Sequence, residues 1–353
     1  SDMKQLANLT GLNLSDINIE GTLEPLKGLV KLTNLDLRRC QNLTGTLEPL
    51  QSLVNLTDLR LSYCEKLSGT LEPLRGLVNL TTLNLEGCTE LFGTLEPLRG
   101  LVNLTNLDLE GCDKLNGTLE PLHGLTNLDT LILSYCRQLT GPLSAAVIRL
   151  LSGMKEKNSS TVNLQGCGPF TFGSDMKQLA NLTGLNLSDI NIEGTLEPLK
   201  GLVKLTNLDL RRCQNLTGTL EPLQSLVNLT DLRLSYCEKL SGTLEPLRGL
   251  VNLTTLNLEG CTELFGTLEP LRGLVNLTNL DLEGCDKLNG TLEPLHGLTN
   301  LDTLILSYCR QLTGPLSAAV IRLLSGMKEK NSSTVNLQGC GPFTFGSDMK
   351  QLA

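Results

Sequence analysis

Leu80-x-x-Leu83-x-Leu85-x-x-Cys88-x-x-Leu91, followed by Gly93-Thr94-Leu95-Glu96-Pro97-Leu98, is the stretch that decides how this chain folds. The same frame stands at Leu32, with Leu35, Leu37, Cys40 and Leu43, then Gly45-Thr46-Leu47-Glu48-Pro49-Leu50. Leu35, Leu59, Leu83, Leu107 and Leu131 follow one another every 24 residues. A leucine, a polar residue and a second leucine, as in Leu83-Asn84-Leu85, turn one face of a short strand inward. One such strand cannot bury its leucines alone, whereas stacked neighbours can, so the period predicts a solenoid with a leucine core. Gly93 permits a tight turn and Pro97 fixes a bend that an interior sheet position does not tolerate, so this segment returns along the opposite side.

Five consecutive units keep every framework position, and two per copy deviate. The first carries Ile17 where the others have Cys. The last is longer, from Leu131 to Val162, and holds Ser144-Ala145-Ala146-Val147-Ile148-Arg149-Leu150-Leu151, a helix-period stretch with a Ser cap. Residues 1–173 and 174–346 are identical, and 347–353 begin a third copy. Strand centres are therefore expected near 12, 35, 59, 83, 107, 131 and 162, and near 185, 208, 232, 256, 280, 304 and 335. Neutral drift does not leave 173 positions untouched, so the duplication is very recent or built. The Gly173-Ser174 pair at the junction, of the kind that joining two segments leaves behind, favours an engineered tandem.

This frame resembles that of leucine-rich-repeat proteins. Leu43-Thr44-Gly45-x-Leu47 is similar to the 24-residue plant and protist subclass, with its proline displaced by one position. The resemblance implies an α/β repeat solenoid, a right-handed superhelix or horseshoe. It would have a parallel concave β-sheet of about 14 strands, a mostly irregular or 3-10 convex side with second short strands, and one short helix per copy. The two copies are expected to form one continuous solenoid. The long repeat leaves two arrangements open: a capping repeat that interrupts the array, or one bulkier segment in an unbroken superhelix. The resemblance also implies protein binding through the concave sheet, a fold-level expectation.

Composition narrows the partners. The net charge of −8 offers no basic stripe for phosphate and argues against nucleic acid. No run of 18 apolar residues suggests a membrane span, and the first residues do not read as a signal peptide. Twelve cysteines fall on one framework position, from Cys40 to Cys167 and from Cys213 to Cys340. A small apolar thiol suits a buried ladder there, each weakly donating to a neighbouring carbonyl. Parallel side chains disfavour disulfides, and unpaired thiols point to a reducing, cytoplasmic compartment. Against this stand repeated Asn-x-Thr triplets such as Asn55-Leu56-Thr57 and Asn79-Leu80-Thr81. They are better read as the way the frame enters each strand than as glycan sites, because glycans so close to the strand edge would crowd each other.

The solvent-facing positions of each strand, and the rim after it, follow from the frame. No catalytic constellation assembles there: His123 and His296 lie elsewhere, the cysteines are structural, and no cofactor loop is present. Glu86, Asp108 and Glu110, with Glu259, Asp281 and Glu283, form acidic clusters suited to a basic partner, to a hard cation, or simply to solvation. Arg38, Arg39 and Arg60, with Arg211, Arg212 and Arg233, form an adjacent positive group, and Asp36 beside Arg60 is expected to make a surface ion pair. Tyr63, Tyr135, Tyr236 and Tyr308 are the aromatics near this face, and Tyr and Arg are common interface anchors. Met3, Leu6, Leu9 and Leu12 match interior residues Met176, Leu179, Leu182 and Leu185, so the first repeat is expected to expose leucine. The alternative function is therefore self-assembly, head to tail, into rings or filaments. Residues 347–353 would then shield the last repeat through Met349 and Leu352, or compete with the first residues of the next molecule.

Overall fold

The computed structural model describes residues 6–157, 159–330 and 332–352. The chain divides into two compact units, Ser1–Gly173 and Ser174–Ala353, a boundary that coincides with the duplication. In the first unit β1 (Gly11–Asn13), β2 (Asn34–Asp36), β3 (Asp58–Arg60), β4 (Thr82–Asn84), β5 (Asn106–Asp108), β6 (Thr130–Ile132) and β7 (Thr161–Asn163) form one parallel sheet in chain order. In the second unit β8 (Gly184–Asn186), β9 (Asn207–Asp209), β10 (Asp231–Arg233), β11 (Thr255–Asn257), β12 (Asn279–Asp281), β13 (Thr303–Ile305) and β14 (Thr334–Asn336) do the same. The fourteen strands thus stand as seven and seven, each centred where the leucine period places it.

The register puts like on like. Leu12, Leu35, Leu59, Leu83, Leu107, Leu131 and Val162 are successive partners across the first sheet. From Leu35 to Leu131 this column is buried, as is the partner column Leu37, Leu61, Leu85, Leu109 and Leu133. Stacked burial of this kind, worth about 2 kcal/mol per leucine side chain, holds a fold whose strands are only three residues long. At the edge of the first repeat Leu6 is exposed and Leu9 and Leu12 are half-buried, as expected; Met3 lies outside the described residues.

The Asn-Leu-Thr entry to each strand links repeat to repeat. Asn79 Nδ2 donates to the Val54 carbonyl at 3.0 Å, and Thr81 Oγ1 donates to the Thr57 carbonyl at 3.1 Å. Asn103 and Thr105 repeat both bonds one unit on, at 2.9 and 3.1 Å. Asn127, followed by Leu-Asp rather than Leu-Thr, makes the same bond to Val102 at 2.9 Å. The asparagine therefore serves the frame whether or not the triplet is complete.

Behind the sheet, second strands such as Leu43–Thr46 and Leu67–Ser68 pair in parallel. Each runs into a 3-10 turn, as at Glu96–Leu98, with proline in its first positions and Thr94 Oγ1 accepting from the Glu96 N–H at 3.3 Å. The displaced proline sits here, where a missing N–H costs nothing. The long repeat carries α1 (Ala145–Glu156), and its copy α2 (Ala318–Glu329). Ser144 Oγ caps α1 by accepting from the Val147 N–H at 3.3 Å, and Val147, Ile148, Leu151 and Met154 form its buried face.

All twelve cysteines are unpaired, and all but the half-buried Cys340 are buried. Cys64 Sγ donates to the Leu37 carbonyl at 3.1 Å, Cys88 to Leu61 at 3.2 Å and Cys136 to Leu109 at 3.0 Å. Each thiol thus reaches into the preceding repeat. With its 24-residue coils, ladders of leucine and cysteine, and paired strand and 3-10 turn, each unit is a leucine-rich-repeat solenoid.

Candidate partner-binding face

The pleat that buries Leu83 and Leu85 sends Thr82, Asn84 and Glu86 to the opposite side of the main sheet. Not every position on that side reaches solvent. Ser62 and Ser134 are buried, and the Ser134 hydroxyl has no hydrogen-bond partner among the described residues. Both are short side chains in a column of long ones: Ser62 stands between Arg38 and Glu86, and Ser134 between Glu110 and Gln165.

The arginines find partners on their own strands. Arg38 Nε and Nη2 donate to Asp36 Oδ1 and Oδ2 at 2.9 and 2.7 Å. Arg60 makes the same fork to Asp58 at 2.8 and 3.0 Å. The expected Asp36–Arg60 pair is therefore corrected. The two residues are register partners across β2 and β3, but each closes a two-point bond with the residue two positions away on its own chain. A guanidinium is long enough to turn back along the strand, and the bidentate geometry is stronger than a single lateral contact. Arg39 reaches Asp16 more loosely, at 3.3 Å, with both side chains well exposed. Arg211, Arg233 and Arg212 repeat the three pairings with Asp209, Asp231 and Asp189.

The acidic residues are differently placed. No basic side chain lies within ion-pair distance of Glu86, Asp108 or Glu110 among the described residues. Asp108 accepts from Asn84 Nδ2 at 3.3 Å and from the Glu110 N–H at 3.1 Å. Burial pushes its carboxyl above the ordinary value, and the charges of Glu86 and Glu110 add to the rise. Asp36 goes the other way, held low chiefly by its hydrogen bond from Arg38. The equivalent Asp281 in the second unit is raised as Asp108 is, with Glu259 and Glu283 as its charged neighbours. No group of three His, Cys, Asp or Glu side chains that could hold a metal ion occurs among the described residues.

Tyr63 links the two zones. Its hydroxyl donates to Glu86 Oε1, and its ring edge lies where a side chain on Gly87 would stand, with Cδ1 2.8 Å from that position. Tyr63 and Tyr135 also share an unusual backbone, with φ of 60° and 63°. The whole rim does: Asp16, Arg39, Gly87, Gly111 and Gly166 all have positive φ. Left-handed backbone costs a non-glycine residue about 1 kcal/mol, and for a bulky residue such as tyrosine it is an outlier. The rim was legible in part, since the frame places Asp16, Arg39, Tyr63, Gly87, Gly111, Tyr135 and Gly166 in one column and three of these are glycine. Tyr236 and Tyr308 repeat the geometry at φ 60° and 61°. Asp36 and Asp58, which fix the arginines, were not singled out by sequence as site residues. They help line an open groove of ≈ 330 Å³ over β1, β2 and β3.

No protein-family model and no curated protein matches this chain. Similar solved structures include an internalin (inlF) of Listeria monocytogenes, at 21% identity and a TM-score of 0.48, covering 99% of this chain and 86% of that one. A leucine-rich-repeat protein of Leptospira interrogans is similar at 20% identity and a TM-score of 0.49, covering 100% and 83%. The ectodomain of the Arabidopsis thaliana receptor kinase GASSHO1/SCHENGEN3, in complex with CASPARIAN STRIP INTEGRITY FACTOR 2, is similar at 21% identity and a TM-score of 0.44, covering 98% and 49%.

Proposed function

We propose that this leucine-rich-repeat chain is a non-enzymatic protein-interaction scaffold, and that its sheet face takes a partner carrying basic side chains. One observation carries the reading. Arg38 and Arg60 are neutralised by aspartates of their own repeats and Arg39 meets Asp16, while among the described residues no basic side chain lies within ion-pair distance of Glu86, Asp108 or Glu110. A lysine or arginine from a partner would supply the missing charge and offset the burial, and the lesser repulsion from Glu86 and Glu110, that raise Asp108. Tyr63, already ordered by Glu86, stands beside the patch as an anchor. The cysteines do not support a catalytic reading, because burial pushes the Cys64 thiol up to about 12. Twelve unpaired thiols suit a reducing compartment, which we take as the working location.

The test is a binding isotherm with two fluorescent peptides of equal length, one rich in lysine and one rich in glutamate. The lysine peptide is expected to bind. Replacing Glu86, Asp108 and Glu110, with Glu259, Asp281 and Glu283, by their amides should weaken it on the order of ten-fold, and added salt should do the same. Equal binding of both peptides, no binding of either, or indifference to the amide changes would sink the reading.

Self-assembly is a second reading. It is favoured by Leu6 and Ile17, exposed by 41% and 48% in the first repeat, and by Phe345, exposed by 78% in the last.

A further inference from the structure

The last residues of the second unit are seated. After the strand Phe343–Phe345, Gly346 N–H donates to the Leu316 carbonyl at 2.8 Å. The chain then turns so that both carboxylate oxygens of Asp348 accept from the Ala318 N–H, each at 3.1 Å. Ala318 is the first residue of α2, and Ser317 caps the same turn by accepting from the Val320 N–H at 3.2 Å. A carboxylate at a helix start satisfies a donor that the helix cannot, and it meets the positive end of the helix dipole. One turn further along α2, Arg322 donates to the Gln351 carbonyl. The 3-10 turn Met349–Leu352 packs on α2, with Met349 half-buried. A side chain on Gly346 would stand 2.8 Å from the Leu316 carbonyl oxygen, so the approach to the seat is tight.

The sequence of this segment and the residue after it, Ser347-Asp348-Met349-Lys350-Gln351-Leu352-Ala353, is residue for residue that of Ser1 to Ala7. A site that holds one holds the other by the same chemistry: an aspartate for the helix start and a backbone carbonyl for Arg322. We propose that residues 347–352 are a detachable cover on α2, and that the site beneath takes residues 1–6 of a second copy of this chain. This rests on the self-assembly reading and adds the mechanism that restrains it. The cover is tethered at Gly346, so its effective concentration at the site is on the order of millimolar. A second copy at micromolar concentration loses that competition, and the covered chain stays single. With the cover lifted, the incoming segment meets no competitor, and exposed Leu6, Ile17 and Phe345 lie where apolar surface can join the contact.

Sedimentation velocity over a micromolar concentration series tests this on three chains: the full chain, the full chain with Asp348→Ala, and the chain ended after Gly346. The full chain should sediment as one species near 38.2 kDa. The truncated chain should give concentration-dependent multiples, and Asp348→Ala should lie between them. The synthetic peptide Ser-Asp-Met-Lys-Gln-Leu-Ala at millimolar concentration, or Asp2→Ala introduced into the truncated chain, should return it to the single species. Circular dichroism melts of each chain separate loss of the cover from loss of the fold. If the well-folded truncated chain stays single, both the cover and the self-assembly reading fail. If it associates but neither the peptide nor Asp2→Ala reverses this, the cover proposal fails and the self-assembly reading stands.

Discussion

Two aspartates on one sheet face have opposite relations to their own charge. Asp36 is stabilised as an anion by Arg38, so its contribution to stability is present above the ordinary Asp value and is lost as pH falls through its lowered folded value. Asp108 is disfavoured as an anion by burial and by Glu86 and Glu110. Its cost is present in full above its raised folded value and is relieved as pH falls from there toward the ordinary value. Asp108→Asn with Asp281→Asn should therefore stabilise the chain at neutral pH, by less than about 1 kcal/mol per site because half-exposed charges are screened. The gain should shrink on acidification. Urea melts at neutral pH and near the Asp range would check this, and a gain unchanged between the two would contradict the assignment. At this scale the sequence was only partly legible. Column membership follows from the frame, which is why the acidic trio was found. The choice of Arg38 for Asp36 rather than Asp58 or a lateral neighbour depends on how a long side chain folds back, and no spacing rule states it.

The elements were the most legible level. A leucine column with a fixed period leaves each strand one register, since a slip by one residue would turn Leu83 and Leu85 to solvent. The helix was legible at its start, where Ser144 caps, and less so at its end. It runs past Leu151 to Glu156, because Met154 extends the buried face where the frame had no further landmark. The cap itself is testable. Ser144→Ala leaves the Val147 N–H without its partner and should cost about 1 kcal/mol. In α2 the start is held twice, by Ser317 and by Asp348, so Ser317→Ala should cost less than Ser144→Ala. Thermal melts of the two single variants would decide it, and a larger loss from Ser317→Ala would count against Asp348 as a cap.

For the whole molecule, the repeat construction puts one thiol in every repeat but the first of each copy. Burial is the main reason those thiols resist ionisation, with Cys64 and Cys167 pushed up to about 12. A thiol reagent added to the native chain should therefore find almost nothing. Half-buried Cys340 should react first, and all twelve should react only in denaturant. Mass spectrometry of the labelled chain would show this directly, and prompt native labelling of Cys88 or Cys112 would refute the packed column. That column was legible because cysteine recurs at one framework position without a partner at disulfide geometry.

The rim carries a last implication. From Asp16 through Arg39, Tyr63, Gly87, Gly111 and Tyr135 to Gly166, the backbone repeatedly adopts the hand that L-residues avoid. Along this one line the molecule is built as its own mirror image would be. A rim made by chemical synthesis with D-amino acids would be at ease where the natural tyrosines are strained, and the chirality of the chain would change there without a change in its course.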